Sequence, residues 1–235
     1  MLIQERRDII ASISSESLIK GFVFVSFHQV FEDLYKHYGE QQWWPAESSF
    51  EVMVGAILTQ NTAWVNVEKA ISNLKQANIL SPQGIINTDI STLAESLRPS
   101  GYFNVKAKRL ISFCSWYVQQ GEFDVLAAIA TADLRKALLS VHGVGEETAD
   151  DILLYAFDRP VFVVDAYTKR LFSRLGLLDG DANYHTVQSV FHENLQRDVT
   201  LFNEYHALIV IHCKDVCRKK PHCKSCCLRQ VCQFS

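Results

Sequence analysis

No apolar run in these 235 residues is long enough to span a bilayer, which excludes a helical membrane protein. The opening stretch MLIQERRDII carries charges of both signs and lacks the apolar core of a secretory leader, so a cytoplasmic protein is expected. Net positive charge is also missing: 23 Lys and Arg stand against 26 Asp and Glu, a formal charge of −3. Any nucleic-acid partner must therefore be held by local basic patches. There is no internal repeat and no low-complexity linker. What the chain has in quantity is apolar side chains, 48% of the total, enough to bury a core as one large or two small domains.

Strand-like patterning is almost absent. Only GFVFVSF and RPVFVVD read as extended, and both are short. Elsewhere the apolar residues recur at helical spacing, as in SFHQVFEDLYKHYG, VNVEKAISNLKQ, VKAKRLISFCSWYVQQG, ADLRKALLSV, DAYTKRLFSRLG, VQSVFHENLQ and LFNEYHALIVIHC. FEVMVGAILTQ is apolar nearly all round and predicts a helix buried at the centre of a domain. Gly121 and Gly176 fall where helix C-terminal caps are expected. The fold class is all-α.

Three features carry chemistry. In HGVGEETADD, Gly143 and Gly145 flank Val144 just before a helix, a tight corner whose bare amides also form an anion site. Twenty residues on, Asp165 ends an apolar stretch and opens an amphipathic helix, a natural N-cap. Six of the seven cysteines, Cys213, Cys217, Cys223, Cys226, Cys227 and Cys232, crowd the C-terminal end; the seventh, Cys114, reads as a core residue. In an intracellular protein such clustering points to a metal and not to disulfides. The spacing C-x5-C-x2-C-x5-C suits zinc or a [4Fe–4S] cluster, although zinc sites usually pair two C-x2-C units and only one is present.

In that order, L-x-x-V-x-G-V-G-x-x-T-A, then V-V-D opening a helix, then the cysteine loop resemble the helix–hairpin–helix DNA glycosylases of the endonuclease III superfamily. The resemblance runs from about Phe50 to the C-terminus, and FEVMVGAILTQNT, LRPSGYFNVKAKRL and WWP resemble its 3-methyladenine branch. It implies two helical domains. A helical barrel carrying the hairpin would span 44–158, and 1–43 with 159–235 would form a terminal domain with a [4Fe–4S] loop at 217–232, ligated by Cys217, Cys223, Cys226 and Cys232. The family's first cysteine gap is six residues and here it is five, so Cys213 and Cys227 stay open as alternative ligands. Arg218, Lys219, Lys220 and Lys224 of the loop would meet DNA phosphates.

The same resemblance makes Asp165 the catalytic carboxylate, opposite the positive charge that builds on the sugar. Gly143, Val144 and Gly145 would bind a backbone phosphate. Asn61 aligns with the residue that fills the gap left by the extruded base, with Gln60 a near alternative. Lys169, one turn after Asp165, would contact that carboxylate or a phosphate, and is the first candidate to stand in for the family's amine nucleophile should strand cleavage occur. Trp43, Trp44 and Trp64 would wall the base pocket, stacking on an electron-poor base, or simply pack in the core. Glu147 replaces the lysine that in endonuclease III attacks the sugar, and with Glu146 it is awkward beside a phosphate unless its role is to cap the helix. Ala56 stands where the adenine-from-mismatch branch has a second carboxylate.

The expected activity is hydrolytic removal of a damaged base, an alkylated purine such as 3-methyladenine, with weak or no strand cleavage. The substrate would be double-stranded DNA with the base flipped out, met by a monomer associated with the nucleoid. Three other readings stay open: a glycosylase for oxidised or mismatched pyrimidines, a non-catalytic nucleic-acid binder, and a zinc-ribbon interaction module.

Overall fold

The computed structural model describes residues 25–234. The leader reading, most of GFVFVSF and the first part of the expected terminal domain lie outside them. Every regular element described is helical, and no helix among them is long and apolar enough to cross a membrane. In chain order the α-helices are α1 (Phe27–Tyr38), α2 (Ser49–Leu58), α3 (Trp64–Gln76), α4 (Pro82–Asn87), α5 (Ile90–Leu97), α6 (Phe103–Gln119), α7 (Glu122–Ala127) and α8 (Thr131–Leu139). They continue with α9 (Glu146–Asp151), α10 (Ala166–Arg174), α11 (Tyr184–Asn194) and α12 (Val199–Asp215). The helices absent from the sequence reading are α4, α5 and α7, at six to eight residues shorter than the window of about 11 over which a helical period stands out.

Helix α2 lies at the centre, as its all-round apolarity requires. Residues 51–58 are all buried, and α2 packs on α3, α6 and α9. Lys106 of α6 caps it: 1% exposed, its ammonium donates to the carbonyls of Leu58 (2.9 Å) and Ser100 (2.6 Å). Burial pushes that lysine down to about 8, and the helix C-terminus supplies the compensating partial negative charge. Gly121 and Gly176 follow α6 and α10 at φ +91° and +73°, the left-handed position that ends a helix.

The other packing centre is aromatic. Phe27 of α1 stacks on Phe172 of α10 (5.0 Å) and meets Phe191 of α11 edge-on (4.9 Å), while Phe162 stacks on Phe191 at 3.8 Å. Tyr205 of α12 donates to the Phe27 carbonyl at 2.6 Å. Residues 159–165 run extended with no strand beside them, as RPVFVVD predicts, and their polar groups are buried. One face of α11 satisfies them: residues 184, 188 and 192 recur at i, i+4 and i+8. The Phe162 amide donates to His192 Nε2 (2.9 Å), Gln188 donates to the Phe162 carbonyl (2.7 Å), and Tyr184 Oη lies 3.4 Å from the Val164 amide. Burial holds His192 down to about 4, so its imidazole is neutral and free to accept.

The same face grips Asp150 of α9. That carboxylate, 0% exposed, accepts two bonds from Arg135 of α8 (2.6 and 2.9 Å), one from Tyr184 (2.8 Å) and one from Gln188 (2.8 Å). Fully satisfied, it ties the hairpin helices α8 and α9 to α11, and through α11 to the segment ending at Asp165. Asp150→Ala leaves Arg135, Tyr184 and Gln188 buried without their acceptor. It is expected to cost about 3–5 kcal/mol, read as a lowered urea midpoint at unchanged slope.

Candidate active site

A cleft of about 1110 Å³ opens between the hairpin, the end of α2 and the starts of α10 and α12. Its lining brings together Trp43, Trp44, Trp64, Gln60, Asn61, Gly143, Val144, Gly145, Glu147 and Asp165, residues scattered over more than a hundred positions. Lys169 is not among them: its ammonium donates to the Ala182 carbonyl at 3.0 Å, turned away from Asp165 and from the cleft. The partners expected of Lys169 are supplied otherwise. Asp165 Oδ1 accepts from the Thr168 amide (2.7 Å) and hydroxyl (2.8 Å), the N-cap bond of α10, and His206 Nε2 of α12 stands 3.7 Å from Oδ2. Burial pushes this carboxyl up, but His206 and the two Thr168 bonds outweigh it and hold Asp165 below the ordinary carboxylate range.

The two hairpin glycines do different work. Gly143 sits at φ +88°, and a Cβ there would collide with Arg109 Cγ, so this glycine makes room for an arginine. Gly145 is extended (φ −96°, ψ −177°), caps α9 without a side-chain bond, and has nothing within 4 Å of where a Cβ would stand. Glu146 turns aside to His185 at 2.7 Å. Glu147 opens into the cleft, where the enclosing walls and the charge of Asp165 push its carboxyl up. Asp151, one turn on and 6% exposed, is pushed well up by burial and by Glu147 and Asp165.

Gln60 is tied down. Its amide donates to the Gly143 carbonyl and to Thr148 Oγ1, both at 3.0 Å, and its oxygen accepts from Arg109. Asn61 is exposed and left-handed (φ 57°) at the tip of the turn after α2. Trp44 meets Trp64 at 4.8 Å and Tyr155 at 5.1 Å, with Trp43 5.7 Å from both tryptophans, and Gly55 lets the Trp44 indole lie on α2. Ala56 lines the cleft without adding a carboxylate.

Sequence reasoning missed His206, Tyr155 and Asp151. Tyr155 lies in a π-helical turn, Ile152–Ala156, that prolongs α9, with the Phe157 amide reaching back to Ile152. No glycine or proline marks that turn, and one lone histidine in an apolar helix carries no signal. Arg109, Arg170, Lys214 and Lys219 add positive charge along the cleft.

Behind α10, Cys217, Cys223, Cys226 and Cys232 line one small cavity, about 20 Å³, closed by Leu171, Leu175 and Leu228. Cys213 and Cys227 are not in that lining. Arg174 lies 3.2 Å from Cys217 Sγ and donates to the carbonyls of Arg218 and Lys219, holding the loop to α10. The Cys213 thiol and then Arg174 hold Cys217 below the ordinary thiol range. No trio of His, Cys, Asp or Glu among the described residues is close enough to grip one metal ion.

Comparison with known proteins agrees with this geometry. Residues 54–197 match the family model of the HhH-GPD superfamily base excision DNA repair proteins. A Methanocaldococcus jannaschii protein provisionally named a DNA repair glycosylase is 50% identical over 212 residues, 89% of this chain and 96% of its own length. The H. pylori 3-methyladenine DNA glycosylase bound to 1,N6-ethenoadenine superposes with TM-score 0.70 at 29% identity, over 80% of this chain and 97% of that one. An endonuclease III–DNA complex shares the fold at TM-score 0.77 and 19% identity, over 90% of this chain and 97% of its own. The chain belongs to the HhH-GPD superfamily, and it is a DNA glycosylase of that superfamily.

The glycine pair offers a direct test of local geometry. Gly143→Ala, strained at positive φ and pressed on Arg109, should lose about 1–2 kcal/mol. Gly145→Ala should stay within about 0.5 kcal/mol of wild type. Thermal melts of both variants decide it.

Proposed function

We propose that this protein is a monofunctional glycosylase that hydrolyses the N-glycosidic bond of cationic, N-alkylated purines such as 3-methyladenine in duplex DNA, acting as a monomer. The observation that carries the reading is the cleft itself: an aromatic wall of Trp43, Trp44 and Trp64, backed by the buried Tyr155, shares it with the carboxyl groups of Glu147, Asp151 and Asp165. Aromatic faces and negative charge both favour a positively charged base. Such a base leaves with the bonding electrons and becomes neutral, so no protein acid need protonate it. The likeness to the H. pylori 3-methyladenine enzyme supports the same class.

In this reading the flipped nucleotide enters between the tryptophans and Asp165. The ionised Asp165 stabilises the positive charge growing on the sugar; water adds at that carbon and its proton passes to the carboxylate or to solvent. Gly145 and the first amides of α9, with Val144 packed beneath, receive a phosphate. Asn61, exposed where Gln60 is pinned, fills the gap in the stack. The cations of the cysteine loop meet neighbouring phosphates. The domain division at 44–158 belongs to the same proposal, with the cleft between its two parts.

Cys217, Cys223, Cys226 and Cys232 would hold a [4Fe–4S] cluster. Four thiols line one apolar cavity, and the loop has only one of the two C-x2-C units that zinc sites usually pair, which favours the cluster. Its contribution is structural, bracing the basic loop against α10.

Release of free bases from methylated DNA, resolved by chromatography, tests the activity. Asp165→Asn keeps an oxygen for the Thr168 cap but loses the charge; base release should fall about a hundredfold or more while DNA binding persists. Retained release would remove Asp165 from the mechanism. Borohydride added during reaction should trap no adduct, since Glu147 offers no amine. A strong adduct would reveal a lyase and point to Lys214 or Lys219, the lysines that line the cleft. Cys226→Ser should give colourless protein with its iron lost and its melting temperature lowered; full iron content would shift the ligand set to Cys213 or Cys227.

A further inference from the structure

Asp165 is a carboxylate among carboxylates. Glu147 and Asp151 face it from α9, and the low polarity of the cleft floor works against charge. Yet the proposed chemistry needs Asp165 ionised at the moment the sugar becomes positive. The cations nearby do not supply this: Arg170 is committed to the carbonyls of Cys213 and Cys217, and neither it nor Lys214 is hydrogen-bonded to Asp165. The Cys213 thiol also feels the charge of Asp165, and its contact with Cys217, with burial, keeps it neutral.

The compensating group comes from α12. His206 is 6% exposed, and its Nε2, buried and without a hydrogen-bond partner, stands 3.7 Å from Asp165 Oδ2. Its other nitrogen, Nδ1, meets the Tyr155 hydroxyl at 2.5 Å. Thr168 takes Oδ1, so His206 is left facing Oδ2. Burial keeps the Tyr155 phenol protonated, so its hydrogen can point at Nδ1 and leave the imidazole hydrogen on Nε2. The π-helical turn places Tyr155 there, one turn beyond Asp151. Nothing in the hydrogen bonding of the fold requires this histidine: its Nδ1 meets only Tyr155, and its Nε2 faces only Asp165.

We propose that Tyr155 and His206 form a buried relay that fixes the imidazole as the Nε2–H tautomer and thereby holds Asp165 ionised and oriented. His206 is a positioning residue: it acts through Asp165, and the proposal rests on the reading of Asp165 as the carboxylate of base release. The relay explains how one wall of the cleft can be acidic enough to attract a cationic base without neutralising its own working carboxylate.

The test pairs a DNA-free titration with single-turnover base release from methylated DNA. In the wild type, nitrogen resonances of His206 should report the Nε2–H tautomer, and the Asp165 carboxyl carbon should titrate below the ordinary range. His206→Phe keeps a ring but no N–H. Asp165 then binds its proton at higher pH, so its titration and the acidic limb of the rate profile should both move up by about one unit. The neutral-pH rate should fall about tenfold to a hundredfold, with the Kd for DNA unchanged. His206→Gln, whose amide can still donate to Oδ2, should recover most of the rate, and Tyr155→Phe should shift the limb in the same direction by less. An Nδ1–H tautomer in the wild type, or an unmoved Asp165 titration in folded His206→Phe, overturns the relay. Should His206→Phe not fold, the wild-type tautomer and the Tyr155→Phe profile decide. A wild type that shows the tautomer and the titration but releases no methylated base would instead overturn the substrate reading alone.

Discussion

The buried carboxylate of Asp150 is the constraint on which the geometry of the cleft depends. It is invisible from solvent, yet it accepts from two helices at once: Arg135 of α8, and Tyr184 and Gln188 of α11. Because α11 also satisfies the buried backbone at Phe162 and Val164, a single polar face sets the distance between the hairpin and the start of α10. Asp165 lies at one end of that linkage and Gly145 near the other. An interior with unpaired groups at these positions would leave the extended segment with nowhere to put its amides.

This arrangement also explains why an acidic cleft is tolerated. Glu147, Asp151 and Asp165 converge, but each has a different environment: open cleft, closed wall, and a threonine cap with an imidazole beside it. The environments push their proton affinities apart, so the three need not be charged together. Glu147, Asp151 and Asp165 all line the cleft. Arg109, Arg170, Lys214 and Lys219 line the same cleft and offset that acid. Glu146, the other acid beside the hairpin, is drawn off by His185. The net charge of −3 therefore conceals a division of labour within one cleft.

Much of this was legible before any coordinates. All-round apolarity placed α2 at the centre, glycines at 121 and 176 marked helix ends, and Asp165 was readable as an N-cap because an acid at the junction of an apolar run and an amphipathic helix has little else to do locally. The ordered motifs placed the chain in its superfamily. Local spacing misled at Lys169, where an i+4 separation from Asp165 implied contact. Asp165 is outside the helix as its cap, and the lysine leaves the helix on another side, toward Ala182. The two glycines looked equivalent in the sequence; only the packing of Arg109 separates a crowded one from an open one.

The longer helices, the caps at Gly121, Gly176 and Asp165, and the family are legible in the chain alone, because they depend on interactions between residues a few positions apart or on motifs whose order is written in the chain. Which polar groups answer one another is set by the closed fold. His206 and Tyr155 are 51 positions apart, Gln60 and Thr148 are 88 apart, and Asp150 is 38 from Gln188. No periodicity links such pairs. They meet because burying the apolar faces of α2, α9 and α12 leaves each polar group with only one place to satisfy its hydrogen bonds, and that requirement exists only once the core has closed.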